Sequence, residues 1–350
     1  MNGLQFNWPI IGHHKIKQFL QTSIVNDKLA HAYIFYGPEK VGKTLTAKTF
    51  ANTILCEKYQ TYSSPTASTV ESNLIAPCGE CSSCHQFEKN IYADFYIVER
   101  EVDEKTGKKK SLISVAQIRD LLEKISKRAF LNSYKIVIIP EAQKLNQEAS
   151  NCLLKTLEEP SPRTIIILIS PSKELLLPTI LSRSQAFKFL AVTKKDIYEY
   201  LIGKGANRSY AKELSNVASG RPTVAMKFFN DSNRFLEYKN DNLELFNVFT
   251  QSTVEKFKFI EGFVNKNKSK DVLLKKLDYL SSLTRDVLMI SSYKNELIAN
   301  AYLENKLERA AADYSQTRLK NFAVRIEETK DLLRKNINPR LVLENLILNL

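Results

Sequence analysis

The stretch Ala32–Ala51, AYIFYGPEKVGKTLTAKTFA, constrains this chain more tightly than any other. Tyr33–Tyr36 reads as a short buried strand that runs into Gly37-Pro-Glu-Lys-Val-Gly42-Lys43-Thr44. Leu45, Phe50 and Leu55 then predict the apolar face of a helix. A glycine-rich turn between strand and helix aims successive backbone N–H groups inward, backed by the positive end of the helix dipole. Gly37 and Gly42 would shape the turn, Lys43 would reach β- and γ-phosphates, and the Thr44 hydroxyl would ligate Mg²⁺, which is the P-loop arrangement. Such a match also arises by chance in ordinary turns. The strand before it and the helix after it favour ATP binding, whereas hydrolysis is a separate question.

The cysteines supply the second constraint. Four of the five fall in the segment 56–84, as Cys56 and then Cys78-Gly-Glu-Cys81-Ser-Ser-Cys84 at the end of a Ser/Thr-rich loop. Thiolates at this spacing can close on one tetrahedral Zn²⁺ without long loops to order. Disulfides are disfavoured in the cytosol, and four cysteines would also suffice for an iron–sulfur cluster. The favoured reading is a closed structural zinc site that staples the loop, with His85 not needed as a ligand. Cys152 lies on an apolar helical stripe and reads as core packing.

Length and charge bound the rest. At 350 residues there is room for two or three domains with sizeable cores. A hydrophobic content of 43% and a charged content of 25% are ordinary for a soluble globular protein. No segment reads as a signal peptide and no apolar run is long enough to span a bilayer, so a cytoplasmic protein without membrane contact is expected. Residues 1–230 carry 31 Lys/Arg against 21 Asp/Glu, and residues 231–350 carry 20 against 17. The basic excess thus accompanies the P-loop, which suits a polyanionic partner, although a solvated basic surface accounts for it equally. Lys108-Lys109-Lys110, beside Gly107, reads as a solvated hairpin tip.

In chain order, residues 6–31 form a lead-in with a helix bearing Ile16, Phe19, Leu20 and Ile24 on one face. Ala93–Glu99, Lys135–Ile139 and Thr164–Ile169 are three further strand candidates, separated by helices over Ser114–Ile125 and around Leu145–Leu157. Strand–helix alternation argues a parallel sheet covered on both faces. Lys135–Ile139 has the form of a Walker-B strand, whose tip should offer an acidic residue to Mg²⁺. Here the tip is Pro140-Glu141: Glu141 could polarise a water, but Pro140 has no oxygen for the metal. The chain leaves this domain through Phe187 and Phe189. Three short helices follow at Asp196–Ile202, Tyr210–Ala218 and Thr223–Phe229, and amphipathic helices fill the remainder. The last has Asn338 as N-cap and Pro339 at its first position. Its apolar side chains Leu341, Leu343, Leu346, Ile347 and Leu350 suit a partner subunit or a domain core equally.

These stretches together resemble the bacterial DNA polymerase III clamp-loader subunits. The matching segments are His31-Ala-Tyr-Ile-Phe-Tyr-Gly-Pro, the cysteine cluster, Asn151-Cys-Leu-Leu-Lys-Thr-Leu-Glu-Glu-Pro160, Thr179-Ile-Leu-Ser-Arg183 and Asn338-Pro-Arg-Leu-Val-Leu-Glu-Asn-Leu. The resemblance implies an α/β P-loop AAA+ domain carrying a zinc module (residues 1–190), a small helical lid domain (191–232) and an all-α collar for oligomerisation (233–350). It also implies that partner subunits (gamma/tau and delta), the sliding clamp and primed DNA surround it. Within this family the motor subunit has Asp-Glu after the third strand and an arginine in the lid; those places here are Pro140-Glu141 and Thr223. Its Ser-Arg-Cys reads Ser182-Arg183-Ser184, with the arginine kept. That pattern looks like the stator, delta prime, whose Arg183 would serve as an arginine finger on a neighbour's ATP. The alternative is an active ATPase, either a motor-type subunit or another DNA-directed AAA+ protein, which Lys43, Thr44 and Glu141 allow.

Overall fold

A computed structural model of the chain describes residues 4–62, 74–105, 107–127, 129, 134–267, 269–335 and 337–350. The Ser/Thr-rich loop at 63–73 lies outside the described residues. The chain divides into two units, Met1–Asp196 and Ile197–Leu350.

The first unit runs β1 (Leu4–Phe6), α1 (His14–Val25), β2 (Ala32–Tyr36), α2 (Lys43–Leu55), α3 (Glu57–Tyr62), β3 (Leu74–Ala76), α4 (Ser82–Glu88), β4 (Phe95–Ile97), α5 (Val115–Ser126), β5 (Lys135–Ile139), α6 (Gln147–Glu158), β6 (Thr164–Ser170), α7 (Pro178–Leu181) and β7 (Gln185–Lys188). Five of its strands form one sheet in the order β4-β5-β6-β2-β7, every pairing parallel. Counting sheet strands alone, that order is 2-3-4-1-5, the order of the AAA+ core, with the P-loop strand beside the last one. The β-branched runs KIVII and TIIILIS are buried throughout because helices cover both faces. Alternate residues separate the two layers. Tyr33, Phe35, Ile136 and Ile167 pack with Leu20, Phe50 and Ile54 on one side. Ile34, Val137, Ile166 and Leu168 pack with Ile118, Leu121, Leu153 and Leu157 on the other.

The four expected strands are present, the second trimmed to Phe95–Ile97. The fifth, Gln185–Lys188, departs from the expectation that the chain simply exits there. Its sequence, QAFK, lacks β-branched residues, and three of its four residues are exposed because it is an edge strand. Leu45 and Phe19, assigned to buried helix faces, are 46% and 42% exposed, while Phe50 and Leu55 are fully buried. The basic run near Gly107 forms a hairpin-like excursion as expected. Val102 bridges Lys109 antiparallel, and Lys109 and Lys110 pair with Glu99 and Glu101.

The second unit is helical. After α8 (Lys194–Gly203) come α9 (Arg208–Ala218), α10 (Pro222–Asn230), α11 (Ser232–Thr250), α12 (Thr253–Lys266), α13 (Lys270–Ile290), α14 (Glu304–Asp313), α15 (Gln316–Arg334) and α16 (Pro339–Leu348). Leu245, Phe249, Phe263, Leu277, Leu283 and Phe322 centre its core. Asp286, fully buried, fixes the loop after α13 by accepting the Ala299 and Asn300 N–H groups at 3.0 and 2.8 Å. Asn338 caps α16 through the Arg340 N–H at 3.0 Å, with Pro339 at the first position. Leu343, Leu346, Ile347 and Leu350 enter this unit's own core, whereas Leu341 is 62% exposed. Among the described residues no helix is long and apolar enough to cross a membrane.

Candidate functional site

The turn at residues 37–44 is built from backbone that ordinary residues avoid. Gly37, Lys40 and Gly42 have φ of 137°, 63° and 104°. A Cβ on Gly37 would lie 2.0 Å from the Phe189 carbonyl oxygen, so the residue just after strand β7 and the turn touch only because that side chain is absent. Lys43 opens α2 and is 7% exposed. Its Nζ donates to the Gly37 and Pro38 carbonyls at 2.6 and 2.5 Å, which fixes it over the centre of the turn. Burial lowers its pKa below the usual lysine value, and Glu39 opposes the shift. An ammonium desolvated in this way gains by meeting an anion. Thr44, the next residue, is exposed.

His13 belongs to the same place, although the sequence offered no signal for it beyond the preceding Gly12. It adopts a left-handed backbone, its Nε2 hydrogen-bonds the Val41 carbonyl at 2.9 Å, and its ring lies 4.6 Å from that of Phe189. The lead-in segment thereby braces the turn from outside. Burial lowers the His13 pKa, the Val41 hydrogen bond working against it.

Glu141 follows β5 and Pro140, as the Walker-B comparison placed it. Both its carboxylate oxygens are engaged by Arg100, Nε at 2.8 Å and Nη2 at 3.1 Å. The same guanidinium donates from Nη1 to the Lys110 carbonyl at 3.1 Å, which ties the pair to the base of the basic hairpin. Arg100 was not singled out from sequence, since a lone arginine after a short strand carries no pattern.

The four cysteines converge. Cys56, Cys78, Cys81 and Cys84 place their sulfur atoms within 4.8 Å of one another, with Cys56–Cys78 at 3.7 Å and Cys78–Cys84 at 3.9 Å. Four thiolates around an ion at about 2.3 Å stand about 3.8 Å apart in a tetrahedron. A disulfide would require ~2.05 Å, and all five cysteines are free. The donors therefore fit one tetrahedral metal ion. Hydrogen bonding from the Cys84 side chain holds the Cys56 thiol below its ordinary range, and the same bond pushes Cys84 up. Glu57 joins the ends of this module by accepting the Ser83 N–H and hydroxyl, both at 3.1 Å. Cys152, half-buried beside the α6 core, stands apart from the cluster.

Arg183 lies at the opposite end of the sheet from the P-loop. Gln185 is level with Tyr33 in the parallel register, and Arg183 precedes it. Gly37 lies four residues beyond Tyr33, roughly 13 Å at ~3.3 Å per residue. Arg183 therefore lies well away from the glycine-rich turn of its own chain. Its Nη2 meets Glu158 Oε1 at 2.8 Å, and its Nη1 donates to Thr179 O and Ser182 Oγ, each at 3.1 Å.

Residues 12–193 match the family described as DNA polymerase III, delta subunit, and residues 237–350 match DNA polymerase III, delta subunit, C terminal. The DNA polymerase III subunit delta' of Bacillus subtilis is 29% identical over 337 residues, covering 96% of this chain and 95% of that protein. The DNA polymerase III subunit tau of the same organism is 32% identical over 188 residues, 54% of this chain and 30% of that protein. A solved DNA polymerase III gamma subunit-related protein from Thermotoga maritima covers 96% of this chain and 97% of its own, with a TM-score of 0.48 and 14% identity. The first match takes in more than half of the sequence, including the glycine-rich turn at 37–44, the cysteine cluster and Arg183, and the chain belongs to the DNA polymerase III delta subunit family.

Proposed function

We infer that this chain is the delta prime subunit of a DNA polymerase III clamp loader, a stator that helps load the sliding clamp onto primed DNA. The end-to-end match to a subunit named delta' carries this reading. Its companions would be gamma/tau and delta subunits. Residues 1–190 would act as the P-loop domain, 191–232 as a lid and 233–350 as a collar for assembly. Gly37, Gly42, Lys43 and Thr44 would bind ATP, with Thr44 offering its hydroxyl to Mg²⁺. Cys56, Cys78, Cys81 and Cys84 would hold a structural Zn²⁺.

Turnover by this chain is weak or absent in this reading. Phosphoryl transfer needs a metal ion held by a carboxylate and a free group to orient water. Pro140 supplies no carboxylate, and Glu141 is occupied by Arg100. Arg183 instead acts in trans, its guanidinium stabilising charge on a neighbour's γ-phosphate, which in other P-loop enzymes is worth ~10³–10⁵ in rate. Its position at the far end of the sheet supports this. The intact turn and Lys43 favour one second reading, an active motor-type ATPase. ATP hydrolysis by the chain alone, then with motor subunit, delta, clamp and primed DNA, separates the two. Motor-like turnover by the chain alone, abolished by Lys43→Ala, rejects the stator.

A further inference from the structure

Arg183 is held in place by more than its own backbone. It lies two residues past the short helix α7, begun by Pro178, and three contacts fix its guanidinium. Two of these, Thr179 O and Ser182 Oγ, come from that helix and its cap. The third, Glu158 Oε1 at 2.8 Å, comes from the last residue of α6. That helix is anchored in the core by Leu153 and Leu157, so its carboxylate is presented from a rigid element. Both side chains stay open to solvent, 35% exposed for Arg183 and 51% for Glu158. Exposed ion pairs of this kind add little to stability. A guanidinium carries five N–H donors, and the three contacts leave two for an arriving anion.

We propose that Glu158 is the positioning residue for Arg183, holding the guanidinium at the surface in the direction from which it meets a neighbouring subunit's phosphates. The proposal rests on the in-trans reading of Arg183 given above. A long, flexible side chain left free would have to find that direction anew at each encounter. Misplacement of a group that stabilises the transition state by a fraction of its length is costly in rate. The carboxylate has a second effect: its charge offsets that of Arg183 until the stronger, multiply charged phosphate arrives. An amide at position 158 would keep the accepting oxygen and lose only that charge.

The test is made in the assembled complex with motor subunits, clamp and primed DNA, by ATP-dependent phosphate release at varied ATP. Glu158→Ala should lower kcat by about 10-fold or more. KM for ATP should stay within about 2-fold, since the guanidinium acts mainly on the charge that develops on the γ-phosphate in the transition state. Glu158→Gln should recover most of the loss, and Glu158→Ala combined with Arg183→Ala should be no slower than Arg183→Ala alone. Size-exclusion and thermal melting should show both Glu158 variants folded and assembled. Wild-type kcat in Glu158→Ala beside a slowed Arg183→Ala overturns the positioning role and leaves the in-trans reading standing. Wild-type kcat in Arg183→Ala overturns that reading, and the proposal falls with it.

Discussion

Arg100 grips both carboxylate oxygens of Glu141, Nε on Oε2 at 2.8 Å and Nη2 on Oε1 at 3.1 Å. A carboxylate committed to a bidentate pair has little left with which to orient a water. Removing it should therefore cost the isolated chain nothing in catalysis. Glu141→Gln and Arg100→Ala should each leave its phosphate release within about 2-fold of wild type, because Pro140 withholds the metal ligand in both cases. A clear loss of turnover in Glu141→Gln would make Glu141 a working catalytic group. The pair is only partly buried, so Arg100→Ala should lower unfolding free energy by ~1 kcal/mol in urea.

Gly37 and Gly42 look alike in sequence, but the structure separates them. Gly37 has the 137° φ and the Phe189 carbonyl 2.0 Å from where a Cβ would sit; Gly42 has a φ of 104° and nothing within 4 Å. Gly37→Ala must push backbone from backbone and should cost ~3 kcal/mol or more. Gly42→Ala meets only dihedral strain and should cost about 1–2 kcal/mol. Urea midpoints of the two variants decide it, and equal losses would show the close approach to be unimportant.

What was legible in the sequence follows from how local each signal is. The P-loop and the capped helices declare themselves within a few residues, the cysteines through Cys78, Cys81 and Cys84 at close spacing, and the structure brings Cys56 to join them. The β5 and β6 strands were plain because central parallel strands must be apolar on both faces. Gln185–Lys188 was missed for the complementary reason, since an edge strand can be polar and pairs through its backbone. Leu45 was misplaced because helical periodicity gives spacing and not the phase at which the first turn meets the core. The pairings of His13, Arg100 and Glu158 were not legible because their partners lie 28, 41 and 25 residues away, with no local pattern joining the two ends.

His13 predicts a pH dependence with a definite sign. Burial lowers its pKa, so the folded chain binds a proton there less readily than the unfolded chain, whose imidazole titrates near ~6.5. This contribution to stability is complete above that value and is lost as pH falls below it towards the folded pKa. The drop in urea midpoint between about pH 7.5 and about pH 5.5 should be smaller in His13→Gln than in wild type. An unchanged drop would place the acid sensitivity elsewhere.

The cysteine module sits at the far end of α2 from the phosphate turn. Lys43 opens that helix and Cys56 follows its last residue, thirteen residues on, about 20 Å at ~1.5 Å per residue. A metal held there can stabilise α3 and α4 but cannot touch a phosphate at Gly37–Thr44. Purified protein should hold about one zinc per chain, as one four-thiolate site requires. Stripping it with a strong chelator should lower the melting temperature, because the segments that carry the four sulfurs, packed within 4.8 Å, lose the ion that ties them together. Cys56→Ser should be more damaging than Cys81→Ser, since Cys56 is fully buried beside Phe50 and Leu55 while Cys81 is partly exposed. Affinity for a non-hydrolysable ATP analogue should meanwhile stay within about 2-fold in the stripped protein, given that separation along the helix. Iron, a disulfide or no metal at all would reject the zinc site, and a large loss of analogue binding on stripping would reject its independence from the phosphate turn.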